Sequence, residues 1–386
     1  MKIALISHLF PTELHPFQGK FIKDQLTLLN SDENIQADIV VPTPYSIPFT
    51  TREKKNKSSL LADDFKNNRL KYLSFPKKKF PATISRSLSR NIQRYFHDKK
   101  YDVIHVHWLY PDALCIPALK KMGFKCVLTI HGSDWYQNTD NLVLMDIFEK
   151  VLDSTDRVLY SGPLLKRDVE RVFPWLSKKS ALIYNYVDTN IYTKPTYLEK
   201  EKAIEKLGWN PQKINVLTVA NIRHEKGIDL LLDAVAETEQ FAGIDFHIIG
   251  ALDSDDYGKL ILERVKSAPN QNVILHSPVP PADLISYYHS ADFYLLPSRR
   301  EGFNVSILEA MSTGLPVVST PVGGTDIIID SETGILAPAI SEVGVKKGLI
   351  SILEALPNLN ADVIRKRVQT KFGKETYLER LLKYYI

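Results

Sequence analysis

The sequence is organised by a rhythm that few folds can satisfy. Short apolar runs, rich in β-branched residues, recur at "KIALIS" (2–7), "ADIVV" (37–41), "YDVIHVH" (101–107), "CVLTIHG" (126–132), "RVLYS" (157–161) and "SALIYN" (180–185). Runs that are apolar along their whole length suit strands buried on both faces of a parallel sheet. Stretches of helical spacing lie between them, such as "GKFIKDQLTLLN", where Phe21, Ile22, Gln25, Leu26 and Leu29 share a face. The rhythm stops at residues 187–203, a polar stretch containing Pro195 that reads as a linker. It restarts at "INVLTVA" (214–220), "DFHIIG" (245–250), "VILHS" (273–277), "DFYLLPS" (292–298), "PVVST" (316–320) and "GILA" (334–337). The pattern predicts an α/β chain of two tandem Rossmann-like, doubly wound domains, at 1–190 and 191–370, with a last helix at 371–386. In such sheets ligands bind beyond the carboxyl ends of the strands. Motifs at those ends therefore carry the functional argument.

Composition narrows the partners. The chain is 44% hydrophobic and 24% charged, with a formal net charge of +4, as expected of a soluble globular protein. The charge is unevenly shared. Residues 1–195 hold 29 Lys+Arg against 20 Asp+Glu, which leaves 20 against 25 for the rest. A basic half beside an acidic half suggests that the first meets something anionic: a phosphorylated substrate, an anionic membrane surface or nucleic acid. Nucleic acid is disfavoured, because no aromatic stacking platform or reader motif is present. Cys115 and Cys126 lack metal-ligand spacing and sit among apolar residues, which reads as reduced core thiols in the cytosol. "MKIALISHLF" is too short for a signal peptide, and no apolar run reaches the roughly 20 residues of a membrane span.

Five stretches carry candidate chemistry. In "LLPSRREGFNVSILEAMSTG", a strand ends at Pro297-Ser298, Gly302 permits a tight turn, and a helix begins near residues 304–306. The N–H groups at its start form a phosphate site. Glu301 lies at the turn, and Glu309 lies one to two turns into the helix, where a carboxylate can grip a vicinal diol. The plain alternative is a helix-dipole partner and a solvated helix residue. In "VANIRHEKGIDLLLDA", Arg223 and Lys226 are cations near a loop-to-helix junction, suited to a diphosphate; ordinary loop charges are the alternative. In "HPFQGKFIKDQ", Gly19 opens a helix and lets a ligand approach the backbone, or is a simple turn glycine. In "VHWLYPDA" and "TIHGSDW", His105, His107 and His131 end neighbouring strands. No third ligand follows with metal spacing, so no metal is expected. His131 can donate a hydrogen bond, Asp134 is a helix cap or an acceptor-binding carboxylate, and His105 fits a satisfied core histidine. In residues 75–100, Arg86, Arg90 and Arg94 share one helical face and Ile84, Leu88, Ile92 and Phe96 another. That is a basic amphipathic helix, compatible with an anionic lipid surface or with a plain surface helix. "REKKNK" (52–57) reads as a charged, solvated loop.

Taken in order, these motifs resemble the GT-B retaining glycosyltransferases known as group 1 or family 4. The resemblance spans nearly the whole chain: the N-terminal glycine loop, "HGSD", the Lys226-Gly227 junction, and the segment from "ADFYLLPS" through the paired glutamates to "GLPVVSTPVGG" and "ETG". "HPFQGKFIKDQ" with "HVHWLYPDA" is most similar to the branch that builds bacterial surface polysaccharides. The resemblance implies a GT-B fold of two Rossmann-like domains with an interdomain cleft. The first domain would bind the acceptor and the second the nucleotide-sugar, and the last helix would cross back. It implies that Glu301 faces the donor sugar, Glu309 holds the ribose and Lys226 grips the diphosphate with the amides of Gly302, Phe303 and Asn304. Val279 would meet the base, His131 the transferred sugar, and Gly19 would give room. Lys20 and Asp134 would be on the acceptor side. No cofactor or metal is expected, and the location is cytoplasmic, at most peripheral on the inner membrane face.

Four positions depart from the family pattern. Asn221 stands where an arginine is usual, and Arg223 is read as its replacement. Tyr186 replaces a glycine, Asn304 replaces the common glycine after Gly-Phe, and Asp326 replaces a glutamate. The other readings to be tested are a GT-B nucleotide-sugar epimerase and a non-catalytic nucleotide- or carbohydrate-binding protein.

Overall fold

A computed structural model of the chain describes residues 1–12, 18–45, 68–75, 79–236, 239–267 and 272–386. "REKKNK", residues 15–17 of the glycine loop and Lys77-Lys78 of the basic segment lie outside the described residues. The chain divides into two compact units: Met1–Ile183 with Leu378–Ile386, and Tyr184–Tyr377.

The first unit is built on a seven-stranded sheet. Its strands are β1 (Lys2–Ile6), β2 (Gln36–Tyr45), β3 (Arg69–Leu73), β4 (Val103–His107), β5 (Cys126–Ile130), β6 (Arg157–Tyr160) and β7 (Ser180–Leu182). Their order is β3-β2-β1-β4-β5-β6-β7, and every pairing is parallel. β1, β4 and β5 are buried along nearly their whole length, as their continuous apolar runs require. β3 has no such run. "RLKYL" alternates, with only Leu70 and Tyr72 buried, because it lies at the sheet edge.

The helix Pro81–Phe96 turns its apolar stripe inward. Ile84, Leu88, Ile92 and Phe96 are all completely buried in the core of this unit. The apolar stripe is therefore spent on the protein itself, at roughly 1.5–3 kcal/mol per side chain. It is not available to enter a lipid surface. Arg86, Arg90 and Arg94 remain exposed on the outer face. Both cysteines are free and buried.

The second unit has a six-stranded sheet. Its strands are β8 (Ile214–Val219), β9 (Ile244–Ile249), β10 (Val273–His276), β11 (Phe293–Leu296), β12 (Val317–Ser319) and β13 (Gly334–Leu336). They run parallel in the order β10-β9-β8-β11-β12-β13. In both sheets the strand order reverses beside the first strand, between β1 and β4 and between β8 and β11. A doubly wound sheet leaves its ligand crevice at such a point.

The stretch read as a linker is structured. Thr196 and Glu199 form a complete capping box, which starts the helix Tyr197–Leu207. Before it, Val187 bridges to Gly373 and Tyr192 is buried in the core of the second unit.

Candidate active site

In the second unit the site forms around the ends of β8 and β11. The chain leaving β8 makes a short turn, His224–Lys226, and then Gly227 at φ +65°. A Cβ on Gly227 would lie 2.1 Å from the Pro297 carbonyl oxygen, so only glycine lets this loop rest against the end of β11. That approach brings Lys226 to Glu301. Lys226 Nζ donates to both carboxylate oxygens, at 2.8 and 3.0 Å, and Ser298 Oγ donates to Oε1 at 2.6 Å. The Lys226 and Glu301 side chains are only 25% and 9% exposed. Gly323 closes over the back of Glu301, where a Cβ would lie 2.6 Å from its own.

Glu301 leads directly into the next helix. The N–H groups of Gly302, Phe303 and Asn304 donate no hydrogen bond among the described residues. Asn304 caps the helix Val305–Ser312, accepting from the Ile307 N–H at 3.2 Å. The Phe303 ring stacks on Tyr184 with centroids 4.9 Å apart, and its carbonyl accepts from Asn185 at 3.1 Å. The turn is thus held from behind while its N–H groups stay open, with the positive end of the helix behind them. Within that helix Glu309 is not a loosely solvated residue. The buried Tyr288 hydroxyl donates to its Oε2 at 2.7 Å. Val279 is half-buried, packed beside the same apolar cluster.

Arg223 does not join this group. Its guanidinium pairs with Asp253 at 2.8 Å and is 55% exposed. Asn221 accepts a hydrogen bond from the Ala251 N–H at 3.2 Å and so ties the loops after β8 and β9. The strong arginine contact is one that sequence reading passed over. Arg299 grips Asp229 through two bonds of 2.7 and 2.5 Å, and its N–H reaches the Glu225 carbonyl at 2.7 Å. Burial raises the Asp229 carboxyl, but the bonds from Arg299 and Tyr257 more than offset this and leave it below its usual value. The clamp holds the Lys226 loop in place.

The first unit presents a second group of side chains, at the ends of β1, β4 and β5. Gly19 sits at φ +68°, where a Cβ would lie 2.3 Å from the Leu9 carbonyl oxygen. The glycine is required by this loop's own close approach. Lys20 is exposed and pairs with Asp24 one turn on, at 2.6 Å. His131 Nε2 lies 3.1 Å from His107 Nδ1, with the Trp108 and Phe21 rings 4.5 and 5.1 Å away. Burial lowers His131 to about 3. It is therefore a neutral imidazole at pH 7, able to donate or accept one hydrogen bond but not to act as a cation. Asp134 is 4% exposed and accepts the N–H groups of Leu109, His131 and Gly132 at 2.5, 3.1 and 2.8 Å. Burial raises it to about 6 despite those bonds. Its carboxylate ties the loops after β4 and β5 together. His105 is held by Tyr385 at 2.6 Å and Thr129 at 2.8 Å, a satisfied core histidine. Among the described residues no group of three or more His, Cys, Asp or Glu is placed to hold a metal ion. No helix among them is long and apolar enough to cross a membrane.

Both units match known families. The family "Glycosyltransferase Family 4" matches residues 34–191, and "Glycosyl transferases group 1" matches residues 199–369. The chain belongs to the group 1/family 4 glycosyltransferases. A relative, N-acetyl-alpha-D-glucosaminyl L-malate synthase of Bacillus anthracis, is 28% identical over 285 residues, 71% of each chain. The D-inositol 3-phosphate glycosyltransferase of Corynebacterium diphtheriae is 29% identical over 258 residues, 62% of this chain and 60% of its own. Among solved structures, HepE from Anabaena in complex with UDP superposes with a TM-score of 0.74 at 16% identity, covering 99% of each chain. At that identity the likeness speaks for the fold alone, and the fold of this glycosyltransferase is GT-B.

Proposed function

We propose that this glycosyltransferase moves a sugar, with retention of configuration and without a metal ion, from a nucleoside-diphosphate donor to an acceptor in cell-surface polysaccharide synthesis. The acceptor would be a glycan or lipid-linked. The observation that carries the reading is the cluster in the second unit. Lys226 and Glu301 are paired beside three undonated N–H groups at a helix start, and Glu309 is fixed by Tyr288 one turn further on. In this reading the diphosphate occupies the N–H groups and Lys226. They stabilise the charge that develops as the sugar departs, which is the task a metal ion would otherwise perform. Glu309 accepts two hydrogen bonds from the ribose diol. Glu301, released from Lys226, accepts from hydroxyls of the transferred sugar. The acceptor oxygen bonds to the anomeric carbon on the face the diphosphate leaves. The bonding pair goes to the diphosphate, whose oxygen takes the acceptor proton. His131, neutral, donates one hydrogen bond toward the transferred sugar.

UDP bound by HepE supports a uridine donor as the first to test. The names of the two relatives carry L-malate and D-inositol 3-phosphate, both anionic. The basic first half of this chain suits an acceptor of that charge. The exposed Arg86, Arg90 and Arg94 would draw the protein to anionic lipid by charge alone. Replacing all three with glutamate should reduce binding to phosphatidylglycerol vesicles, and unaltered binding removes that part of the reading.

The test is a thermal-shift screen with EDTA present against UDP, GDP, ADP, CMP and their common sugars. A selective rise with one nucleoside diphosphate is expected. No shift with any of them would move the assignment to a protein without a donor site.

A further inference from the structure

The crevice of the first unit holds a side-chain arrangement that the donor chemistry leaves unused. The chain leaving β1 carries His8, and the chain leaving the neighbouring β4 carries Trp108 and Asp112. Asp112 is completely buried. Its Oδ2 accepts the His8 backbone N–H at 2.9 Å and pairs with His8 Nδ1 at 2.7 Å. Its Oδ1 is buried without a partner among the described residues. The His8 side chain stays 25% exposed, and its Nε2 has no hydrogen-bond partner among the described residues. A buried carboxylate on the inner nitrogen fixes the tautomer: Nδ1–H donates to Asp112, and the Nε2 lone pair faces outward.

The surroundings are shaped for a ring-bearing ligand. Trp108 lies edge-on to His8 at 5.8 Å, and Phe21, 37% exposed, lies 6.2 Å from Trp108. Trp108 adopts φ +77°, and its Nε1 is buried without a partner among the described residues. A bulky residue held there is strained, and such conformations cluster at ligand sites.

We propose that His8 contacts the acceptor: its Nε2 accepts a hydrogen bond from a hydroxyl of a sugar or polyol, next to the hydroxyl that attacks. Asp112 is the positioning residue, and Trp108 with Phe21 is the apolar wall for the ligand's C–H face. The proposal rests on the transfer reading above for the identity of its ligand.

Protonation of His8 removes the lone pair, so acceptor binding weakens as pH falls through its pKa. Burial lowers that pKa, but Asp112, with Asp134 further off, raises it above 6.5 overall. His131 faces it as a neutral ring, and Tyr72 and Tyr110 stand near Asp112. Asp112→Asn should therefore shift the acidic limb of acceptor kcat/KM to lower pH.

The test has two arms on the full chain. In the first, 15N-histidine NMR follows His8 in the free protein during titration with methyl α-glucoside, methyl α-mannoside, methyl α-galactoside and myo-inositol. At a pH above the His8 pKa, the expected result is a neutral Nδ1–H tautomer whose Nε2 signal moves with at least one probe. An Nε2–H tautomer, or no movement with any probe, overturns the proposal. In the second, His8→Phe is compared with wild type using p-nitrophenyl glycosides as acceptors. A KM at least tenfold higher, with unchanged affinity for the nucleoside diphosphate, is expected. Wild-type transfer with unchanged KM in His8→Phe overturns the role of His8 and leaves the transfer reading standing. Absence of any wild-type turnover sinks the transfer reading instead, and the NMR arm then decides for His8.

Discussion

Lys226 and Glu301 should respond in opposite directions to substitution. In the free protein Lys226 makes two bonds to Glu301, of 2.8 and 3.0 Å, with both side chains mostly shielded. A diphosphate must compete with that carboxylate. Lys226→Ala removes one charge-assisted contact to the phosphates, worth about 1.5–3 kcal/mol. At 1.4 kcal/mol per factor of ten, the affinity for a nucleoside diphosphate should fall roughly 10- to 150-fold. Glu301→Gln removes the competitor. A partly exposed ion pair contributes about 0–1 kcal/mol, so the same nucleotide should bind equally well or up to roughly fivefold more tightly. Turnover of the sugar nucleotide should nonetheless be lost, because the glutamine no longer offers a charged acceptor to the sugar hydroxyls. Isothermal titration of both variants with UDP, GDP and ADP, in EDTA, measures the first two quantities, and nucleoside diphosphate release measures the third. Unchanged affinity in Lys226→Ala would refute the assignment of Lys226 to the phosphates. An equal loss of affinity in Glu301→Gln would show that the pair acts as a structural unit.

Three further outcomes follow from the geometry. Gly227→Ala should destabilise the second unit by about 2–5 kcal/mol, from the left-handed backbone and the clash with Pro297; denaturant unfolding measures it, and a loss under about 1 kcal/mol would contradict the close approach. Tyr288→Phe removes the hydroxyl that donates to Glu309 Oε2 and should weaken nucleoside diphosphate binding by about three- to tenfold, whereas equal weakening of a ribose-free pyrophosphate probe would detach Glu309 from the ribose. The buried His105 and His247 and the half-buried His131 are each lowered to about 3 from 6.5. The unfolded chain binds protons on them that the folded chain does not, so stability should fall as pH drops below about 6.5. Asp134, raised to about 6, works against this only between about 4 and 6. A flat denaturation midpoint from pH 7.5 to 5 would contradict the burial of these rings.

The fold was legible where burial leaves a periodic mark. Each predicted apolar run overlaps a strand, most of them trimmed by one to three residues where the chain turns into a loop, while β2 runs past its stretch at both ends and β9 starts one residue early. β3 was not read, because an edge strand buries only alternate residues and "RLKYL" looks like surface. The polar stretch after residue 187 was read as a linker although "TYLE" spells a capping box, and that box starts a helix. The arginine-rich helix was legible as amphipathic, but what covers its apolar face is tertiary information.

The site was legible in the same limited way. Lys226, Glu301, Gly302 and Glu309 lie where a doubly wound sheet places ligands, but position left plain alternatives open and the family resemblance supplied their expected roles. Their partners were not visible, since Tyr288 reaches Glu309 from another helix and Asp112 reaches His8 across 104 positions. The pairing of Arg223 with Asp253, 30 positions on, was hidden for the same reason. Proximity to Lys226 in sequence says nothing about the rotamer, and Asp253 claims its charge.

The central claim is that the cluster around Lys226 and Glu301 activates a nucleotide-sugar. The most direct measurement is the release of nucleoside diphosphate from UDP-, GDP- and ADP-sugars by the purified protein in EDTA, with and without p-nitrophenyl glycosides, beside Glu301→Gln. The account predicts that one sugar nucleotide is consumed, faster with an acceptor glycoside, and that Glu301→Gln binds the nucleotide without consuming it. Consumption that requires an added divalent ion, or nucleotide binding with no consumption of any donor, would contradict it.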